Sequence, residues 1–263
     1  MTMHTSTHAM RRARVAIGCA ASALVALALA IAHATAAAQG GPAATAASSS
    51  QDLSARQRAI VPIAAHAAGG DIAKLGGALN DGLDAGLTVS DAREVLVQLY
   101  AYAGFPRSLN ALNELMQVLE ARQQRGIQDA PGRAPSRRIA YGDALLAAGA
   151  ANQTRLVGAP VRGPVFDFAP AIDEYLKVHL FGAIFERDNL DWQSRELATV
   201  GMLSALPGAE AQLLSHMRVS LNVGLSAKQM QQVVQELGDR VGAEHAQRAR
   251  DALARALTGD PPR

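Results

Sequence analysis

LSARQRAIVPIAAHAAGGDIAKLGGALNDGLDAGLTVSDAREVLVQL, from Leu53 to Leu99, is answered later in the same chain by LDWQSRELATVGMLSALPGAEAQLLSHMRVSLNVGLSAKQMQQVVQEL, from Leu190 to Leu237. Leu190 falls on Leu53, Asp191 on Ser54 and Arg195 on Arg58. After one inserted residue, Gly208 falls on Gly70, Leu213 on Leu75, Leu221 on Leu83, Gly224 on Gly86, Leu225 on Leu87 and Leu237 on Leu99. A repeat of this kind reads as a duplicated structural unit. Each copy is then an internal control for the other: Glu196 stands opposite Ala59, His216 opposite Ala78, and Glu94 opposite Gln232.

The period of the copies is helical. Apolar residues return at three- and four-residue spacing in Val95, Leu96 and Leu99 and in Leu109, Leu112, Leu115, Met116 and Leu119, the pattern of helices with one buried face. Ser54 with Gln57 and Ser226 with Gln229 have the spacing of capping boxes, and Thr88 and Asp191 are placed as N-caps. Gly86 and Gly224 end the preceding helices at matching positions. The fold class expected is all-α, a duplicated multi-helix unit, with a first repeat over 52–123, connecting loops and a helix over 124–170, and a second repeat over 171–258. Within the connection, Arg125 to Arg137 reads as a loop, Ile139 to Ala151 as helix, and Gly158 to Pro170 as a punctuated lead into a helix from Ala171 to Phe185.

Residues 1–38 have the composition of a secretory signal peptide. Arg11, Arg12 and Arg14 precede an apolar run from Val15 to Ile31, and Ala34-Thr35-Ala36 and Ala36-Ala37-Ala38 both satisfy the small-x-small cleavage rule. The other reading of the run is an uncleaved anchor. Cleavage near Ala36 to Ala38 makes the protein periplasmic or secreted, with no stable membrane insertion afterwards. Residues 39–51, rich in Ala, Gly and Ser, read as a disordered linker. The only cysteine, Cys19, lies inside the apolar run, so the mature chain would carry no thiol, no disulfide and no thiolate ligand. A formal net charge of +2 and an aromatic content of 4% give no basic stripe with stacking residues, so nucleic acid is not an expected partner. No HExxH or comparable spacing points to a metal, and none is expected.

Tyr100 to Leu112 (YAYAGFPRSLNAL), Leu176 to Leu197 (LKVHLFGAIFERDNLDWQSREL) and Gln212 to Ser226 (QLLSHMRVSLNVGLS), taken with the tandem copies, resemble the carboxymuconolactone decarboxylase family. The resemblance implies an all-α fold and a homotrimer or other homo-oligomer with sites near subunit interfaces. It also implies one of two chemistries: decarboxylation of a carboxylated lactone without a cofactor, or the thiol-based peroxide reduction of the alkyl hydroperoxidase D branch. That branch carries a glutamate followed by G-C-x-x-C-L-x-x-H. Laid on the second repeat, the motif meets Gly208 and keeps its histidine at His216, but Ala209 and Gln212 occupy both cysteine positions. A thiol peroxidase needs the thiolate that attacks peroxide, so that mechanism has no nucleophile here.

The candidate site follows from these positions. His216 is the first choice for an acid/base residue, on a helix where Gln212 and Ser220 lie one turn to either side. Glu196 can orient it, although an acid in the first turn after Asp191 also serves a helix N-terminus. Glu94 is a third catalytic candidate by its match to a glutamate of the family pattern. Arg107 and Arg195 are candidates for holding a substrate carboxylate through a bidentate fork, and Tyr102, Asn110, Gln212 and His179 for lining the pocket. Tyr100 and Tyr102 also read as core aromatics, and His66 and His245 as structural. The expected activity is cofactor-independent decarboxylation or isomerisation of a small carboxylated or lactone-type metabolite. The competing expectation is a non-catalytic periplasmic binding module built on the same scaffold.

Overall fold

The computed structural model describes residues 52–259, and among them there is no strand. The signal peptide, Cys19 and the linker lie outside the described residues. The first copy forms α1 (Ala55–Gly69), α2 (Ile72–Asp84), α3 (Val89–Gln98) and α4 (Tyr100–Gln124). The intervening segment forms α5 (Asp143–Val157), the short α6 (Pro164–Phe168) and α7 (Pro170–Tyr175), and a π-helical stretch, Leu176–Ile184. The second copy forms α8 (Trp192–Ser204), α9 (Glu210–Asn222), α10 (Ala227–Arg240) and α11 (Ala243–Thr258).

Local chemistry sets the boundaries. Ser54 and Ser226 close capping boxes with Gln57 and Gln229, so two otherwise orphaned amides at each helix start are bonded. Thr88 does the same with Asp91, and Asp191 accepts from the Ser194 amide at 2.8 Å. Within α4, Gly104 adopts φ +81°, a conformation that costs glycine little, and Pro106 follows as an early residue of the next helical segment. The chain therefore bends sharply between Tyr102 and Ser108.

The equivalent helices α1 and α8 pack along each other at the centre of the molecule. They approach closely because Gly201 has no side chain: a Cβ there would stand 2.7 Å from the Val61 carbonyl oxygen and 3.1 Å from the Ala64 Cβ. Around this contact a single apolar core draws on both copies, including Ile60, Ile63, Leu75, Leu96, Leu197, Met202, Leu213 and Leu237. A smaller cluster of Leu156, Leu180, Phe181, Ile184, Phe185 and Val219 sits under the intervening segment. Tyr102 packs against both clusters.

The intervening segment departs from the expected boundaries. The helix anticipated from Ile139 begins at Asp143, after Gly142 takes φ +57°, a left-handed value that does not continue into a helix. Upstream, Ser136 donates both its amide and its hydroxyl to Asp188, which ties the loop down before a helix can start. The helix expected from Ala171 to Phe185 is one continuous run in two hydrogen-bond registers. The shift to π geometry accompanies a close crossing: a Cβ on Gly149 of α5 would meet the Lys177 carbonyl at 1.8 Å. Asn152, also on α5, donates to the Phe181 carbonyl at 3.0 Å, satisfying a group in the altered register.

Candidate functional site

His216 and Glu196 come together. Nδ1 of His216, on α9, lies 2.8 Å from Oε2 of Glu196, on α8, with the carboxylate fully buried and 13% of the histidine side chain exposed. The sequence separation of 20 residues is closed by the turn between α8 and α9. Pairing Nδ1–H with a carboxylate leaves Nε2 as the nitrogen that can take or give a proton. The second oxygen, Glu196 Oε1, is buried without a hydrogen-bond partner. A carboxylate so poorly supplied with donors depends on the imidazole for compensation, which couples the two groups tightly.

Tyr102 completes the cluster from the first copy. Its ring meets the His216 ring edge-on, with centroids 5.7 Å apart, and its hydroxyl shares a 3.1 Å hydrogen bond with Thr199 Oγ1. Burial and the neighbouring Glu196 charge raise the phenol well above its ordinary range, so it remains a neutral donor. Thr199 in turn receives Gln98 Nε2 at 2.8 Å, and the same nitrogen donates to the Arg195 carbonyl at 3.0 Å. The first copy thus supplies a polar bracket that holds the tyrosine beside the histidine of the second.

Glu94 and Arg195 belong to a different assembly. Glu94 is almost fully buried and accepts Arg187 Nε at 2.8 Å, Arg187 Nη2 at 2.6 Å and Arg195 Nη2 at 3.2 Å. Burial pushes the Glu94 carboxyl up, but hydrogen bonds from Arg187 and Asn189 and the charges of both arginines more than offset this and leave it below the usual range. Arg195 is completely buried; it also donates to the Arg187 carbonyl at 2.8 Å and to Gln98 Oε1 at 3.3 Å. Its guanidinium is enclosed, with Nη1 and Nη2 bonded to protein acceptors and Nε buried without one. Both carboxylate oxygens of Glu94 are likewise held by arginine.

The remaining candidates do not converge. Gln212 lies one turn before His216 on α9 but is exposed, and Asn110 is exposed on α4. His179 is exposed on the π-helical stretch, tilted against Tyr175 with centroids 5.7 Å apart. Arg107 folds over the α1–α2 turn, where a Cβ on Gly70 would coincide with its Nη1; Gly70 needs to be glycine for this contact and for its φ of +75°. His66 is buried and its Nε2 lies 3.1 Å from the Arg240 carbonyl. Among the described residues no three metal-donor side chains come together.

Gln98, Thr199, Arg187 and Asn189 escaped the sequence reading. A signal for Gln98 and Thr199 exists: Glu94 with Gln98 on α3 and Arg195 with Thr199 on α8 are both polar pairs one helical turn apart. In the first copy the positions of Glu196 and His216 are filled by Ala59 and Ala78, both buried. Ser220, fully buried on α9, donates to the His216 carbonyl at 2.7 Å, and its counterpart is Gly82, whose Cβ would lie 3.6 Å from that of Ala59. The first copy closes with small residues where the second places an ionisable pair.

The model of the Carboxymuconolactone decarboxylase family matches residues 43–116 and, separately, residues 170–255. The two matches fall on the two copies and leave most of the intervening segment outside. No curated protein matches the chain.

Proposed function

Because the chain belongs to the carboxymuconolactone decarboxylase family, we propose that it is an exported, cofactor-independent acid/base enzyme acting on a small carboxylated or lactone-type metabolite. The observation that carries this reading is the contact between His216 Nδ1 and the buried Glu196 carboxylate at 2.8 Å, present in one copy and replaced by alanines in the other.

Decarboxylation without a cofactor needs an acceptor for the electron pair left when carbon dioxide departs. A carbonyl conjugated to the breaking bond, as in a lactone, takes that pair as an enolate. The Tyr102 hydroxyl, held neutral, is chemically suited to donate a hydrogen bond to the enolate oxygen, and His216 Nε2–H to deliver the proton to carbon. Isomerisation of a lactone double bond uses the same groups, with His216 first removing a proton and then returning it. Glu196 keeps the imidazole oriented. Thiol peroxidase chemistry is not part of the proposal, since Ala209 and Gln212 supply no sulfur.

His216 is open to solvent on one edge, and a second subunit covering α9 would exclude water from it; assembly as a homotrimer or other homo-oligomer belongs to this proposal. The test is a panel of small carboxylated lactones and related acids incubated with the protein in heavy water and followed by proton NMR. Loss of carbon dioxide or exchange of a carbon-bound hydrogen supports the enzyme. Saturable binding with no chemical change replaces it with a binding module.

A further inference from the structure

The outer face of α4 carries a row of exposed apolar residues. Beyond the bend at Gly104, Phe105, Leu109, Leu112, Met116 and Leu119 recur at alternating spacings of four and three, the spacing of a helix seam. Phe105 is 63% exposed, Leu109 57% and Met116 67%, while Leu112 and Leu119 are half-buried. Phe105 is held by its stack on Tyr100, with ring centroids 4.7 Å apart.

The second copy supplies the comparison. The register that sets Gly208 on Gly70 also sets α11 on this part of α4, and the inner faces coincide: Ser108, Ala111 and Leu115 fall on Ala246, Ala249 and Leu253, all of them buried. The outer faces do not. Glu244, Arg248, Arg250, Asp251 and Arg255 of α11 are matched on α4 by Pro106, Asn110, Leu112, Asn113 and Gln117. One helix is dressed for water, and its equivalent has uncharged residues at every one of those positions, set among exposed apolar ones. Arg107 and Glu114, the charges that remain in the stretch, fold against the α1–α2 turn and α2, at Gly70 and Gly76.

We propose that this face of α4 is covered by the same face of a second copy of the chain, the two helices running antiparallel about a two-fold axis near Leu112. A surface that meets its own copy brings charges close to their like, and depletion of charge removes that cost. Asn110, Asn113 and Gln117 each donate and accept, so they can pair with one another across the axis. At about 200 Å2 for a large apolar side chain, Phe105, Leu109 and Met116 expose roughly 370 Å2 per copy. The two faces, with the flanking amides and the half-buried leucines, approach the roughly 1,000 Å2 at which specific pairs begin. The exposed Val165 and Phe168 of α6 sit on a helix of only 5 residues with Asp167 between them, and offer no seam of matching length. This interface locates the self-association proposed with the enzyme, and it stands whether or not His216 is catalytic.

Two variants of the full chain test it, Leu109→Lys with Met116→Lys and Leu109→Glu with Met116→Glu. Both positions are exposed, so each protein should keep the circular dichroism of the parent. Sedimentation velocity up to about 100 µM should show the parent associating and each variant alone weakened at least about a hundredfold, because the antiparallel seam sets position 109 of one copy near position 116 of the other with like charge at both. Mixing the lysine variant with the glutamate variant should restore association, which upholds the contact between identical faces. Val165→Lys with Phe168→Lys should associate as the parent does. A parent that stays single at the highest concentration, variants that associate as the parent does, no recovery on mixing, or loss of association in the α6 variant would overturn it. Failure to recover on mixing is the result expected if α6 of another copy, or an unrelated partner, covers α4 instead.

Discussion

Replacing Glu94 by alanine should be among the most damaging single changes in the protein, and its cost can be worked from the contacts. The substitution removes bonds of 2.6 and 2.8 Å to Arg187 and one of 3.2 Å to Arg195. Arg187 is 31% exposed and can turn to water. Arg195 is not exposed at all and keeps only the Arg187 carbonyl and Gln98 Oε1 as acceptors. Stranding one partner of a buried pair costs about 3–5 kcal/mol, which for a domain of this size lowers Tm by roughly 6–20 °C. Urea unfolding followed by circular dichroism measures it. The double variant Glu94→Leu with Arg195→Met, which removes both charges, should recover most of the loss. The sign with pH follows from the lowered Glu94 carboxyl: it contributes stability above its ordinary value of 4.5, and that contribution disappears as pH falls through the lower value it has in the fold. A Glu94→Ala variant within about 1 kcal/mol of the parent would refute the argument that removing Glu94 strands the buried Arg195 charge.

Three further outcomes are expected. Gly201→Ala drives a Cβ to 2.7 Å from the Val61 carbonyl and should destabilise by about 1–3 kcal/mol, whereas Gly77→Ala, with nothing within 4 Å on an exposed helical face, should stabilise by a few tenths to about 1 kcal/mol; chemical denaturation separates them. His66 is held below its ordinary value of 6.5, chiefly by burial, so it is neutral in the fold and takes a proton more readily when unfolded. Stability should therefore fall as pH drops below about 6.5, and His66→Gln should flatten that dependence in unfolding curves measured between pH 8 and pH 5. Export with cleavage predicts that the intact mass of the secreted protein begins between Thr35 and Gln39; a chain retaining its N-terminal residues in the membrane fraction would replace this with an anchored protein.

The duplication, the helical class and the caps were legible because each rests on residues close in sequence. Ser54 and Gln57, Thr88, Asp191, and Gly86 and Gly224 all act where the pattern placed them. The His216–Glu196 contact was legible for a different reason: the other copy showed alanine at both positions. What the sequence concealed was the partnership of residues about a hundred positions apart. Glu94 and Arg195 read separately as candidates for catalysis and for holding a carboxylate, and only the packing of α3 against α8 makes them a buried pair. Gln98 and Thr199 were hidden in the same way. The π register of Leu176–Ile184 was hidden because a shift of one residue in hydrogen bonding leaves the apolar composition unchanged, while its accompanying close contact, at Gly149, lies on another helix.

The most direct test of the acid/base site compares the parent chain with His216→Ala for exchange of carbon-bound hydrogen with heavy water, or release of carbon dioxide, on whichever carboxylated lactone of the panel reacts. The 2.8 Å pairing with Glu196 predicts a rate lower by about 100-fold or more in the variant, which still folds but with a lowered unfolding midpoint, since loss of the imidazole leaves the buried Glu196 carboxylate without a partner. An undiminished rate in a folded His216→Ala protein would contradict the account.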